Sequence, residues 1–220
     1  MTPPASAASL TPAQPRRRRK DARPAELLAA ALEVFSVHGY AAARMEDIAR
    51  GAGVSKGTVF LYYESKEALF RAVIEAAVLP HLDAGEALLR DDAPADRLMR
   101  ELFEGTQRVL LDPLLSAIPR LVDAEAGNFP EVAAYYHEHV TRRVHALFGA
   151  VYARGLREGC FRAADVGVLC QLALAPLLYA GNWRRLPGVW EEACFDPETY
   201  CRTHVDMFMR GLSCAPEKQG

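Results

Sequence analysis

The densest run of residues able to do chemistry is Ser55-Lys56-Gly57-Thr58-Val59-Phe60-Leu61-Tyr62-Tyr63-Glu64-Ser65-Lys66-Glu67, which gathers hydroxyls, cations and aromatic rings within thirteen positions. A helix built for a core would not be so short, so polar at its start and so aromatic at its end. The mixture suits a polyanion. A helix that enters the major groove presents its N-terminal residues to base edges, while its flanks hold phosphates through hydroxyls, backbone N–H groups and lysines. Lys56, Thr58, Tyr62 and Lys66 carry that chemistry in the required order.

The elements that must position these residues follow from periodicity. Leu28, Ala31, Leu32 and Phe35 fall at i, i+3, i+4 and i+7 after Pro24 and end at His38-Gly39, which predicts a first helix with glycine as its left-handed stop. Met45, Ile48, Ala49 and Ala52 repeat the spacing in a shorter second helix, with Glu46 and Asp47 in its first turn. Ser55 caps a third helix over 56–62, and Ser65 a fourth from Lys66 toward Pro80. Gly51-Ala52-Gly53-Val54 supplies the turn between the second and third, with Gly53 free to take positive φ and Val54 as a plug. On turn chemistry alone this is also how an ordinary helical corner looks; the polar third helix separates the two readings.

The ordered string Asp47-Ile48-Ala49, Ala52-Gly53-Val54-Ser55-Lys56-Gly57-Thr58, Tyr63 and Ser65-Lys66-Glu67-Ala68-Leu69 resembles the DNA-binding domain of the TetR/AcrR family over residues 20–75. The resemblance implies that Lys56, and to a lesser degree Gly57 and Phe60, meets base edges, and that Thr58, Tyr62 and Lys66 grip the backbone. It also implies a homodimer on a palindromic, double-stranded DNA operator. The candidate DNA contacts are Arg44, Ser55, Lys56, Gly57, Thr58, Phe60, Leu61, Tyr62 and Lys66.

Three residues depart from the family pattern. Arg44 stands where a Thr or Ser usually caps the second helix, which forgoes about 1 kcal/mol but offers a phosphate contact. Phe60 replaces a common Tyr, so it can touch a thymine methyl or pack but cannot bond a phosphate. Glu46 either accepts from cytosine N4 or points to solvent. Arg16, Arg17, Arg18, Arg19 and Lys20, just before the first helix, sit where an arm would reach phosphates or the minor groove.

Beyond Pro80 the periodicity is helical throughout, over 97–111, 114–126, 130–158, 165–180 and 197–212, with breaks at Pro113, Asn128, Gly159 and the 183–196 loop. The expected fold is all-α: a leader over 1–19, a helix-turn-helix domain over 20–66, a helical effector-binding and dimerisation body over 67–213, and a tail over 214–220. The segment from Arg120 to Glu131, with its Phe129-Pro130-Glu131, resembles the AcrR-like branch. Phe103, Leu110, Leu114, Ile118, Tyr135, Tyr136 and Phe148 are candidates for an effector cavity, although for any one of them simple core packing is the more common role. For the dimer face the resemblance implies Val166, Leu169, Leu172, Ala173 and Leu177 on one helix and Tyr200, His204, Val205 and Phe208 on another.

The chain has 220 residues, half of them hydrophobic, and a net charge of −2. That charge is unevenly spread, +3 over residues 1–70 and −5 over the rest, as expected when one end faces phosphates. No apolar run suits a bilayer or a signal peptide, so a cytoplasmic protein is expected. The five cysteines show no CxxC spacing, and His137 and His139 would lie about 200° apart on a helix, so no metal or other cofactor is expected. No GxSxG, HExxH, P-loop or GxGxxG arrangement argues for an enzyme. Two alternatives stand beside an effector-released repressor: a small-molecule-binding bundle without regulatory DNA binding, and a regulator switched by oxidation of Cys194, Cys201 or Cys214.

Overall fold

The computed structural model describes residues 18–183 and 196–214. The expected leader over 1–15, Arg16 and Arg17, most of the 183–196 loop with Cys194, and the tail after Cys214 lie outside the described residues, as do the side chains of Arg18, Arg19 and Lys20. The elements are α1 (Arg18–Ala42), α2 (Met45–Gly51), α3 (Lys56–Tyr62), α4 (Lys66–Ala77), α5 (Leu79–Leu88), α6 (Ala95–Leu110), α7 (Ala117–Glu125), α8 (Pro130–Tyr136), a π-helical turn (His137–Thr141), α9 (Arg142–Arg157), α10 (Val166–Trp183) and α11 (Pro197–Leu212). Extended pairing among the described residues is limited to one isolated bridge, Phe161 with Ser213, which ties the end of α11 to the chain after α9.

Three boundaries differ from expectation. α1 begins at Arg18, so Pro24 lies inside the helix rather than at its start. The helix expected to run from Lys66 to Pro80 closes at Ala77, and Pro80 sits in the first turn of α5, a helix that periodicity did not separate. Proline lacks an N–H that a first turn leaves unbonded anyway, so it starts a helix as readily as it ends one. The long helix over 130–158 is interrupted by the π turn.

The first four helices share one core. Leu27, Ala31 and Phe35 of α1 meet Ile48 of α2, Val59 of α3 and Leu69, Phe70, Val73 and Ile74 of α4, all sealed from water. Phe35 and Phe70 pack edge to face at 5.1 Å, and Tyr40 bridges from Phe70 at 5.2 Å to Phe129 of the body at 4.9 Å. That bridge joins the two parts of the molecule.

The body packs α6, α7, α9, α10 and α11 around Leu98, Phe103, Ile118, Phe148, Ala173, Leu177 and Met209. Its loops are held by long-range caps. The Arg154 guanidinium donates to the carbonyls of Leu89, Asp91 and Ala93 at 3.3, 2.5 and 3.1 Å, and Glu158 accepts from Ala95 N at 2.8 Å. Glu158 thus caps α6, whose N-terminal neighbour Pro94 has no capping side chain.

α10 is apolar on every side, so the sequence could not tell its inner face from its outer one. Leu169, Ala173 and Leu177, expected at a dimer face, are buried within the chain. His204 bonds the Ala173 carbonyl at 3.1 Å, so Nε2 carries the hydrogen, and burial holds its pKa below the usual histidine value. Phe208 packs on Phe103 at 5.1 Å, and Tyr200 and Val205 lean on the same core. Of the expected set, Val166 and Leu172 are well exposed, and they are joined by Val168, Tyr179 and Met207. Val168, Leu172 and Tyr179 fall at i, i+4 and i+11, one outward stripe.

Gly181 marks a close approach of α10 to the end of α6: a Cβ built there would run into the Leu110 carbonyl oxygen, a backbone atom that cannot swing aside. Gly181→Ala is expected to lower stability by about 1–3 kcal/mol, read as a fall in the thermal midpoint. An unchanged midpoint would show that α6 and α10 separate without cost.

Candidate nucleic-acid interface

The turn over 51–55 is built as its residues require. Gly53 takes φ of 64°, Val54 N–H bonds the Ala49 carbonyl at 2.9 Å, and the Val54 side chain packs half-buried on the core. Ser55 caps α3 by accepting from Thr58 N at 3.2 Å, and its hydroxyl also shares a 2.8 Å bond with the Thr58 hydroxyl. Ser65 caps α4 through Ala68 N at 3.0 Å. Arg44 has no capping bond, as its side chain dictates, and is exposed.

α3 is anchored by Val59 alone among its fully buried residues, which leaves the rest of it on the surface. Ser55, Lys56, Gly57, Phe60 and Leu61 are exposed, Phe60 by 42% and Leu61 by 79%, while Thr58 and Tyr62 are partly covered. Lys56 does not stand free: its ammonium lies 2.5 Å from Glu46 Oε1 and 5.7 Å from the centre of the Phe60 ring. The hydrogen bond from Lys56 holds the Glu46 carboxyl below the ordinary carboxylate range.

Lys66, expected on a phosphate, is placed otherwise. Its ammonium donates to the carbonyls of Tyr40, Ala41 and Ala43 at 2.7, 3.0 and 3.3 Å and lies over the Tyr40 ring at 4.7 Å. Three carbonyls occupy its three hydrogens. The reason is the break at Gly39, with φ of 80°, which turns the end of α1 and leaves carbonyls for a cation to satisfy. From the body, Glu125 accepts from Ala41 N at 3.0 Å at the same junction. Burial draws the Lys66 ammonium below the usual lysine value and raises the Tyr40 phenol to about 12.

Inside the body, α5, α6, α7, α8, the π turn, α9 and α10 line a partly open cavity of about 410 Å³. Of the seven residues expected there, Leu110, Tyr136 and Phe148 line it. Phe103 and Ile118 are core, and Leu114 is exposed outside it. Tyr135 instead reaches α4: its hydroxyl donates to Glu75 at 2.6 Å, and the Arg71 guanidinium covers its ring at 5.0 Å. Sequence reasoning missed Val78, Leu82 and Gly85, which line the cavity from the α4–α5 side. Their spacing of four and three would have marked them, had Pro80 been taken as a helix start.

Polar and charged residues line this cavity beside the apolar ones: His81, Glu101, Thr106, Arg108, Asp123, Tyr136, Thr141, His145 and Gln171. Burial, with the charge of Asp123 adding to it, raises the Tyr136 phenol well above the usual value. Among the described residues no group of three or more His, Cys, Asp or Glu is placed to hold a metal ion. No helix of the described residues is long and apolar enough to cross a membrane.

An exposed, turn-braced third helix on a four-helix head, carried by a hollow helical body, defines the class of one-chain helix-turn-helix regulators. The model for bacterial regulatory proteins of the tetR family matches residues 27–73, and that for the AefR-like transcriptional repressor C-terminal domain matches residues 97–211, more than half the chain. The chain belongs to the TetR family, with a body of the AefR-like type.

Among relatives, the transcriptional regulator RutR of Escherichia coli K12 is 34% identical over 122 residues, 51% of this chain and 58% of RutR. The chain thus spans little more than half of that relative. The regulator YfiR of Bacillus subtilis is 35% identical over 96 residues, 42% of this chain and 47% of YfiR. Among solved structures, a transcriptional regulator of Saccharomonospora viridis in complex with choline has a TM-score of 0.72 at 22% identity, covering 89% of this chain and 100% of the other. FadR of Bacillus subtilis in complex with stearoyl-CoA has a TM-score of 0.69 at 18% identity, covering 85% and 98%. At such identities the likeness is one of fold.

Lys66→Met keeps the stem and removes the ammonium, leaving three carbonyls to find other donors. Denaturant unfolding of the full chain is expected to show a loss of about 1–3 kcal/mol. Wild-type stability in that variant would mean that solvent satisfies those carbonyls equally well.

Proposed function

We propose that the chain is a dimeric, cytoplasmic transcriptional repressor whose 20–66 region holds a palindromic operator and whose 67–213 body releases it when a small, largely apolar effector enters the cavity. The observation that carries this is α4. Its first residue, Lys66, is bonded to the end of α1 beside the reading head, and Val78, immediately after its last, lines the cavity. A rigid rod of twelve residues, about 18 Å long, therefore connects ligand space to DNA face. Tyr135, bonded to Glu75 in the last turn of α4 and adjacent to the cavity residue Tyr136, gives the body a second grip on the same rod.

In the DNA complex, Lys56 meets base edges, Phe60 and Leu61 offer apolar contact, and Arg44, the N-terminal amides of α3 and the Thr58 and Tyr62 hydroxyls hold phosphates. Lys66 is reassigned from phosphate to scaffold. The choline and stearoyl-CoA held by two neighbours of this fold support a ligand in the body. Of the three cysteines of the redox alternative, Cys201 is buried, which pushes its thiol up, away from the reactive thiolate, whereas Cys214 is exposed and Cys194 lies outside the described residues.

Purified protein is expected to shift the DNA flanking its own gene in preference to random DNA, with Lys56→Ala weakening the specific complex roughly tenfold or more. Gly105→Leu, placed where a Cβ meets nothing closer than the Arg108 guanidinium at 3.9 Å, fills the cavity and should retain DNA binding while losing release by metabolite extract. Equal affinity for random and flanking DNA would refute the repressor reading.

The exposed stripe of Val168, Leu172 and Tyr179 is the proposed dimer contact. Leu172→Glu is expected to give a folded monomer by light scattering. A dimer of unchanged affinity in that variant would move the interface elsewhere.

A further inference from the structure

The structure leaves Glu46 with an unexplained position. A carboxylate at a DNA-reading surface faces the phosphates' repulsion, and an exposed ion pair adds too little to stability to justify its place. Yet the folded turn brings Glu46, in the first turn of α2, against Lys56, the first residue of α3, across ten positions of sequence. Both side chains stay about half exposed, 49% and 53%, beside the exposed Phe60. The pair is thus presented outward as a unit.

A lysine alone reads DNA poorly, because its ammonium is a point charge that any groove acceptor satisfies. Here one ammonium hydrogen is held by Glu46 Oε1, which fixes the head and leaves two hydrogens, while the half-exposed carboxylate, with about four lone pairs on its two oxygens, keeps capacity to accept a further bond. Read across, the unit offers donor, donor, acceptor. The major-groove edge of a G·C pair offers guanine N7 and O6 as acceptors and then cytosine N4–H as a donor, the complementary row. An A·T pair offers acceptor, donor, acceptor, which sets its N6–H against the ammonium and its thymine O4 against the carboxylate.

We propose that Glu46 and Lys56 together read one G·C base pair in each operator half-site, Lys56 donating to guanine N7 and O6 and Glu46 accepting from cytosine N4. This rests on the DNA-binding reading above and adds to it the identity of a base pair and a residue that selects it. Phe60, under the same ammonium, contributes apolar contact next to that pair and takes no part in the choice.

The test is selection from randomised duplex DNA by the full chain, followed by affinities for the selected duplex and its single base-pair replacements. Wild type is expected to select one G·C position per half-site at which replacement by A·T costs roughly tenfold to a hundredfold. Glu46→Gln and Glu46→Ala should cut that discrimination to a few-fold at that position and leave the other positions unchanged. Guanine replaced by 7-deazaguanine there should weaken wild type and have little effect on Lys56→Met. Both residues are exposed, and matching circular dichroism melts establish that the variants fold. Discrimination unchanged in Glu46→Ala, or affinity altered equally for all sequences, overturns the proposal while sparing the DNA-binding reading. Failure of wild type to select any sequence overturns both.

Discussion

The rest of the molecule hangs on the ammonium of Lys66. A helix end exposes carbonyls that nothing inside the helix can satisfy, and the Gly39 break gathers three of them at one point. One lysine from the next helix but two closes all three. Because Tyr40, Phe129 and Glu125 converge on the same spot, the end of α1, the start of α4 and the rim of the body are fixed by a single set of contacts. The angle of the reading head follows from that set, since α2 begins two residues after Ala43.

From that point the architecture becomes a problem in leverage. The head is solid, with an unbroken aromatic and aliphatic core, whereas the body is hollow beneath α5. Arg143 of α9 pairs with Asp83 and Glu86 of α5 at 2.6 and 2.8 Å, so α5 is held to the body by charge as well as by packing. On the proposed function, an effector in the hollow would press on side chains of α5 and on Val78, with which α4 is continuous. A solid head on a deformable body would then turn as a unit rather than distort.

Much of this was legible in the residues, where local chemistry decides. Ser55 and Ser65 cap because a hydroxyl before a helix has an amide to bond, and Gly39 and Gly53 turn because other residues cannot. What was not legible depended on neighbours distant in sequence. Lys66 has the same type and spacing whether it faces a phosphate or three carbonyls, and Pro80 looks alike before or after a boundary. α10 illustrates a further limit: a helix apolar all round carries no phase, so Leu169 and Leu172 could not be sorted into inward and outward by pattern. The cavity residues on α5 were lost with the misplaced boundary, and the π turn left no trace in the hydrophobic period at all.

That π turn, His137–Thr141, has a consequence for how the body fluctuates. Its hydrogen bonds close over one more residue than those of the flanking helix, in a geometry that proteins keep to single turns. It is therefore a seam of low local stability within a long helix, the place where amide hydrogens exchange with solvent ahead of their neighbours. Val140 and Thr141 on the seam face the cavity, while His139 packs at a tilt on Tyr135, ring centres 4.3 Å apart, toward α4. On the proposed function, an effector packed against Val140 and Thr141 would change how often the seam opens, and part of its effect on α4 would then be carried by the frequency of opening rather than by displacement.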